Sequence, residues 1–152
     1  MNNNEMQVVI DKIFEAIEKY IPSYIENAED SRISNGNVAV CIIDEKGLVY
    51  GKMFGTYKPR LRESYKVAWI KASQVWLTGV KTGVYERMFF NNELGKNADV
   101  IGAPDLIGWE GGQPLTMKDG TILSVGFSGF RGSTDIEIMV KALADAEQFR
   151  NI

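Results

Sequence analysis

Gly111-Gly-Gln-Pro-Leu-Thr-Met-Lys-Asp-Gly-Thr-Ile-Leu-Ser-Val-Gly-Phe-Ser-Gly-Phe-Arg-Gly-Ser-Thr-Asp-Ile-Glu137 is the stretch that decides the fold. It reads as a tight strand hairpin followed by a glycine-rich turn that opens a helix. Lys118-Asp119-Gly120 supplies the hairpin turn, because Asp and Gly tolerate the positive φ that short hairpins need. Along the second strand Ile122, Ser124, Gly126 and Ser128 face one side, and Leu123, Val125 and Phe127 the other. The turn Ser128-Gly129-Phe130-Arg131-Gly132 brings backbone close to a ligand, and a helix from Thr134 points unpaired N–H groups at it. Thr134 with Glu137 three residues on has the form of a capping box. The buried stripe of that helix is expected to be Ile136, Met139, Val140, Leu143 and Ala146.

Upstream, Met6, Val9, Ile10, Ile13, Phe14, Ile17, Tyr20 and Ile21 recur at three and four, an amphipathic helix that Pro22 ends or kinks. Ser23 to Ala28 can extend it, and residues 29–37 read as a polar connector. Val38–Ile43 and Leu48–Phe54 are strand-like runs joined by Asp44-Glu45-Lys46-Gly47, a second hairpin. The first run is almost wholly apolar, which places it centrally with both faces covered. After a loop at residues 55–59, a second long helix starts at Leu61. Tyr65, Ala68, Trp69, Ala72, Val75, Trp76 and Gly79 form its stripe, and the two tryptophans are expected in the core. A short helix is expected near residues 85–90. Residues 91–112 read as a long loop, functional or flexible, with a short strand at Val100-Ile101. The order helix, hairpin, helix, loop, hairpin, helix predicts an α+β domain, an antiparallel β-sheet with packed helices.

The chain of 152 residues is long enough to bury a real core as one domain, residues 1–152. A net charge of −3 argues against a nucleic-acid partner, despite local basic residues Arg60, Arg62, Lys66 and Lys71. The N-terminal residues show no secretory pattern, and no apolar run reaches membrane-spanning length; a cytoplasmic protein without a membrane partner is expected. One cysteine, Cys41, forbids an internal disulfide, and its setting in Val38–Ile43 predicts a buried apolar role. The methionines scatter too widely to suggest a metal site.

There is no histidine. That removes the usual general base, zinc ligand and proximal haem ligand, and excludes Ser-His-Asp and Cys-His chemistry. Gly126-Phe-Ser-Gly-Phe130 lacks the fifth-position glycine of a nucleophile elbow, so Ser128 reads as a turn residue.

The same residues carry a family resemblance. Val40-Cys-Ile-Ile-Asp44-Glu-Lys-Gly47, Lys52-Met53-Phe54-Gly55 and Lys71-Ala72-Ser73 resemble segments of the haem-binding HbpS and GlcG-type proteins and of the PduO C-terminal domain. Gly111-Gly112-Gln-Pro114-Leu115, leading into Val125-Gly126-Phe-Ser128-Gly129 and Asp135, is the strongest match. The similarity spans residues 5–148. It implies a GlcG/HbpS-like sheet with profilin-like layering, a homo-oligomer, and haem or a corrinoid as ligand. Haem-binding members are expected to use a histidine, so haem here would need Tyr or Met ligation.

The candidate ligand-binding residues are Trp109, Ser128, Gly129, Arg131, Gly132 and Asp135, and the candidate catalytic ones Lys71 and Glu110. Arg131 either points inward onto a carboxylate or phosphate, or faces solvent. Lys71 is either a partly buried amine of lowered pKa or an ion-paired one. Asp135 serves the helix dipole and capping, or touches ligand. Trp109 closes over a flat ligand or plugs the core edge. Three functions fit: a non-catalytic binder of an organic acid or tetrapyrrole; a cofactor-free lyase or isomerase using Lys71 or Glu110; and an interaction module.

Overall fold

The computed structural model describes residues 1–94, 101 and 105–150, with no side chains for 148–150. The elements run α1 (Asn3–Ile25), α2 (Ala28–Ser34), β1 (Val38–Ile43), β2 (Val49–Phe54), α3 (Lys58–Thr78), α4 (Thr82–Phe90), β3 (Gly112–Thr116), β4 (Ile122–Ser128) and α5 (Gly132–Arg150). The strands form one antiparallel sheet in the order β2-β1-β4-β3. Both hairpins form as the turn residues predict, and β1 is central and buried along its whole length. The fold is α+β.

The alternation along β4 decides the layering. Leu123, Val125 and Phe127 enter a core with Val40 and Ile42 of β1, covered by Ile10, Ile13 and Ile17 of α1 and by Ile138, Met139 and Ala142 of α5. The opposite face carries Ala39, Cys41 and Ile43, and α3 lies on it through Ala68 and Ala72. That contact is intimate because Gly126 is there: a Cβ at this position would collide with the Ala68 carbonyl oxygen. Cys41 is fully buried, and burial pushes its thiol up to about 11, as befits an inert apolar filler.

Several expectations are corrected. Trp69 and Trp76 are half exposed, at 49% and 48%, and not in the core. The helix–sheet contact is too close for indoles, so the small residues meet the sheet and the tryptophans are displaced to the flanks. Helix α1 runs through Pro22 to Ile25. The proline sits in the last turn, where it removes one backbone hydrogen bond without stopping the helix. Residues 28–34 are helix α2 and not a connector, because the Asn27 side chain caps the amides of Glu29 and Asp30.

Helix α5 begins at Gly132 and makes no capping box. The Thr134 hydroxyl donates to Asp30 Oδ2 (3.1 Å), and Glu137 pairs with Lys141 (3.0 Å). Burial of Thr134 and Asp135 fixes the helix's rotation, so its buried stripe is Ile138, Met139, Ala142, Leu143 and Ala146, while Val140 stays exposed. Val100 of the expected short strand lies outside the described residues, and Ile101 belongs to no strand.

Candidate functional site

Where β4 ends, the chain turns sharply at Gly129, whose φ of 142° is open only to glycine and whose approach to Val38 leaves no room for a Cβ. This corner and the first turn of α5 form one wall of a recess of about 500 Å³. Ser128, Gly129, Phe130, Gly132, Ser133 and Asp135 line that wall, with Lys71 at its floor. Trp109, Glu110, Ile33 and Arg60 complete the lining, with Glu110 directly against Gly132. The corner before the last helix therefore opens onto a cavity. Gly132 and Ser133 lie in the first turn of a 19-residue helix, where amides have no intrahelical acceptor.

Lys71 is the anchor of the floor. It is only 3% exposed, and its Nζ donates to the carbonyls of Glu110 (2.6 Å) and Phe127 (2.9 Å) while standing 3.7 Å from Asp135 Oδ2. Asp135, 1% exposed, accepts on its other oxygen from the Phe130 amide (3.0 Å). Burial drives the Lys71 amine below its ordinary value, against the pull of Asp135. Burial likewise lifts the Asp135 carboxyl well above the usual carboxylate range, against Lys71 and the Phe130 N–H. Burial thus works against charge on both groups, and their mutual attraction works for it. Of the two readings of Lys71, the structure has it both buried and ion-paired.

Arg131 does not line the recess, and its side chain is 40% exposed while paired with Asp30. Its Nε and Nη2 grip Asp30 at 3.0 Å each, and its backbone amide donates to the same carboxylate. Burial works to raise the Asp30 pKa, but the bonds from Arg131 and Thr134 outweigh it and hold the carboxyl below its ordinary value. Arg131 thus fastens α2 to the start of α5 behind the recess, and the cation on the recess wall is Arg60, which donates to the Ile33 carbonyl (2.7 Å).

Residues 107–111, expected as part of a flexible loop, are tied down carbonyl by carbonyl. Gln74 donates to Ile107 O (2.8 Å) and accepts from Ile107 N (2.9 Å), and Thr82 donates to Trp109 O (2.6 Å). Lys71 holds Glu110 O, and the Phe127 amide holds Gly111 O (2.9 Å). Trp109 is 70% exposed, so it stands at the mouth and does not plug the core. Glu110 is exposed beside it.

Of the eight residues singled out from the sequence, Lys71, Trp109, Glu110, Ser128, Gly129, Gly132 and Asp135 meet around this recess, and Arg131 supports it from behind. Sequence reading missed Arg60, Ile33, Asp30, Gln74 and Thr82. Asn27 ahead of Glu29 and Asp30 is a helix-start signal that locates α2 and hence Asp30; nothing local marks the other four.

No family model matches the chain, and no curated protein matches it. Solved structures do. The crystal structure of Klebsiella pneumoniae protein ORFY, a DUF336 protein, superposes with a TM-score of 0.59 at 17% identity, covering 91% of this chain and 87% of that one. The complex of PduOC with haem gives 0.54 at 16% identity over 95% and 94%. A double mutant of Streptomyces reticuli HbpS gives 0.50 at 20% over 86% and 83%. Among the described residues no helix is long and apolar enough to cross a membrane. The likeness lies in the fold: this chain has the architecture of the HbpS/GlcG-like proteins, DUF336 and the PduO C-terminal domain among them.

Proposed function

We propose that the chain is a small-molecule binding protein whose ligand is an organic anion seated at the glycine corner before α5. The observation that carries this reading is the recess itself, flanked by first-turn amides of α5 and by Arg60, with a buried amine in its floor. An anion's charge is met by the positive end of the helix and by the guanidinium, and Trp109 offers an apolar edge to its carbon skeleton. A haem group fits this donor set poorly. Among the described residues no His, Met, Cys or Tyr side chain lines the recess, and the Nζ of Lys71 is already committed to two carbonyls. A corrinoid seeking an axial histidine meets the same lack.

A second reading has one observation in its favour, the buried Lys71–Asp135 ion pair facing a cavity. A cofactor-free lyase or isomerase acting on a small organic acid would use Lys71, or Glu110 at the rim, to move a proton, with the corner amides holding the developing anion. Binding without turnover is the simpler use of a lysine whose hydrogens are already engaged.

Titration with short mono- and dicarboxylates, followed by 1H–15N spectra, tests the proposal. Saturable shifts of the Gly129, Gly132 and Ser133 amides are expected, and Arg60→Ala should weaken binding about tenfold, near the low end for a hydrogen bond to a charged group. Absence of saturable shifts at the corner, or an unchanged affinity in Arg60→Ala, rejects the anion site. Consumption of the bound acid would favour the catalytic reading.

A further inference from the structure

The α3 face of the sheet opens a second time, at the other end of β4. The last turn of α3, the β3–β4 hairpin and the β1–β2 turn enclose a recess of about 520 Å³, separated from the first by the contact of Ala68 and Ala72 with Gly126. Val75, Trp76, Pro114 and Ile122 make its walls apolar. Its polar groups are few and held in place. Trp76 Nε1 donates to the Asp44 carbonyl (3.1 Å), which fixes the indole, and Glu45 Oε1 accepts from the Ile122 amide (2.6 Å), which fixes the carboxylate. Ser124 lines the recess, is 6% exposed, and its hydroxyl has no hydrogen-bond partner among the described residues.

Glu45 is the charged side chain lining this end, while Lys46 and Lys118 sit in the adjoining turns outside the lining. Helix α3 stops here at Gly79, and its last turn contains no basic residue, so the partial negative charge of its carbonyl end meets no cationic side chain of its own. Among the described residues no lysine or arginine lines the recess, and Glu45 does. An indole face and a carboxylate together are the groups that recognise an ammonium ion carrying apolar substituents, the first through its quadrupole and the second through its charge. A hydroxyl without a partner adds an acceptor for an N–H.

We propose that this second recess binds an organic ammonium ion, an amine bearing a small apolar ring or chain. The cation lies between Glu45, Ser124 and the end of α3, and the apolar part lies against Trp76 and Ile122. The two recesses then take ligands of opposite charge at opposite ends of one strand.

Phenethylamine, charged at neutral pH, is the probe, with 2-phenylethanol as its uncharged counterpart of the same ring and length. The full chain is titrated with each while the Trp76 indole N–H and the Ile122 and Ser124 amides are followed in 1H–15N spectra. The amine is expected to shift them saturably and to bind at least about tenfold more tightly than the alcohol. Glu45→Gln, which keeps an acceptor for the Ile122 amide, should lose at least about tenfold in amine affinity and leave the alcohol unchanged. Equal binding of amine and alcohol, no saturation, or an unaffected Glu45→Gln overturns the proposal. If that variant does not fold, the amine–alcohol comparison on the unsubstituted chain decides alone. The resonances at Gly132 and Ser133 report the first recess separately, so either site can fail without the other.

Discussion

The two faces of the sheet are made of different material. Under α1 and α5, β1 and β4 present valine, isoleucine, leucine and phenylalanine to a layer of isoleucines and methionine. Under α3 they present Ala39, Cys41 and Gly126, and the helix answers with Ala68 and Ala72. Each large aliphatic side chain buried on the first face contributes about 1.5–3 kcal/mol, so that layer supplies most of the stability. The second face has a smaller apolar cluster, Ile43 included, and also hides Lys71, Gln74 and Ser124. The helix seated on glycine and alanine lies close along the sheet, and a recess remains toward each end of β4. The main apolar core thus lies on one side of these two strands, and both proposed ligand sites touch the other.

Substitutions can break or sharpen that contrast. The largest effect is expected from Lys71→Met, which strands the buried Asp135 carboxyl and leaves two carbonyls without their donor; unfolding in urea should show a loss of about 3–5 kcal/mol. A loss below about 1 kcal/mol would mean that the α3 face is held by something other than this polar anchor. Gly126→Ala should cost about 1–3 kcal/mol by forcing α3 away from β4, and its spectra should change at both recesses at once. Unchanged stability would deny that the close contact is what separates them. Ile13→Val, on the opposite face, should cost only about 0.5–1.5 kcal/mol and leave carboxylate titrations unaltered. A change in ligand response from that position would show the two faces to be coupled, against the division drawn here.

The residues differ in how much they disclose. Lys118-Asp119-Gly120 and Asp44-Glu45-Lys46-Gly47 declare their hairpins locally, because turn chemistry is a property of three or four adjacent residues. The alternation in β4 names its two faces for the same reason. Stripe reading failed where two stripes were available: Ile136 and Val140 compete with Ile138 and Ala142, and only the burial of Thr134 and Asp135 chooses between them. Trp69 and Trp76 share a helical stripe with Ala68 and Ala72, and hydrophobicity alone ranks the indoles first; the glycine on the far strand reverses that order.

The candidate site shows the same limit. Gly129, Gly132 and Asp135 are adjacent in sequence, so the corner they form is legible, and Lys71 was marked by its place beside an apolar stripe. Arg131 was also visible, but its partner Asp30 lies 101 residues away on a helix that only its cap reveals. Arg60, Gln74 and Thr82 reach the recess solely because α3 and α4 lie where they do.

The order of residues settled what depends on near neighbours: two hairpins, three long helices, a strand buried on both sides, and, through the missing histidine, which chemistries are closed to the chain. Tertiary packing decided which stripe of α3 and of α5 is buried, that Arg131 binds Asp30, and where the two recesses beside the sheet open. Those outcomes rest on distances between segments far apart along the chain, and a carboxylate or a glycine acts there only once folding has brought its partner within a few ångströms.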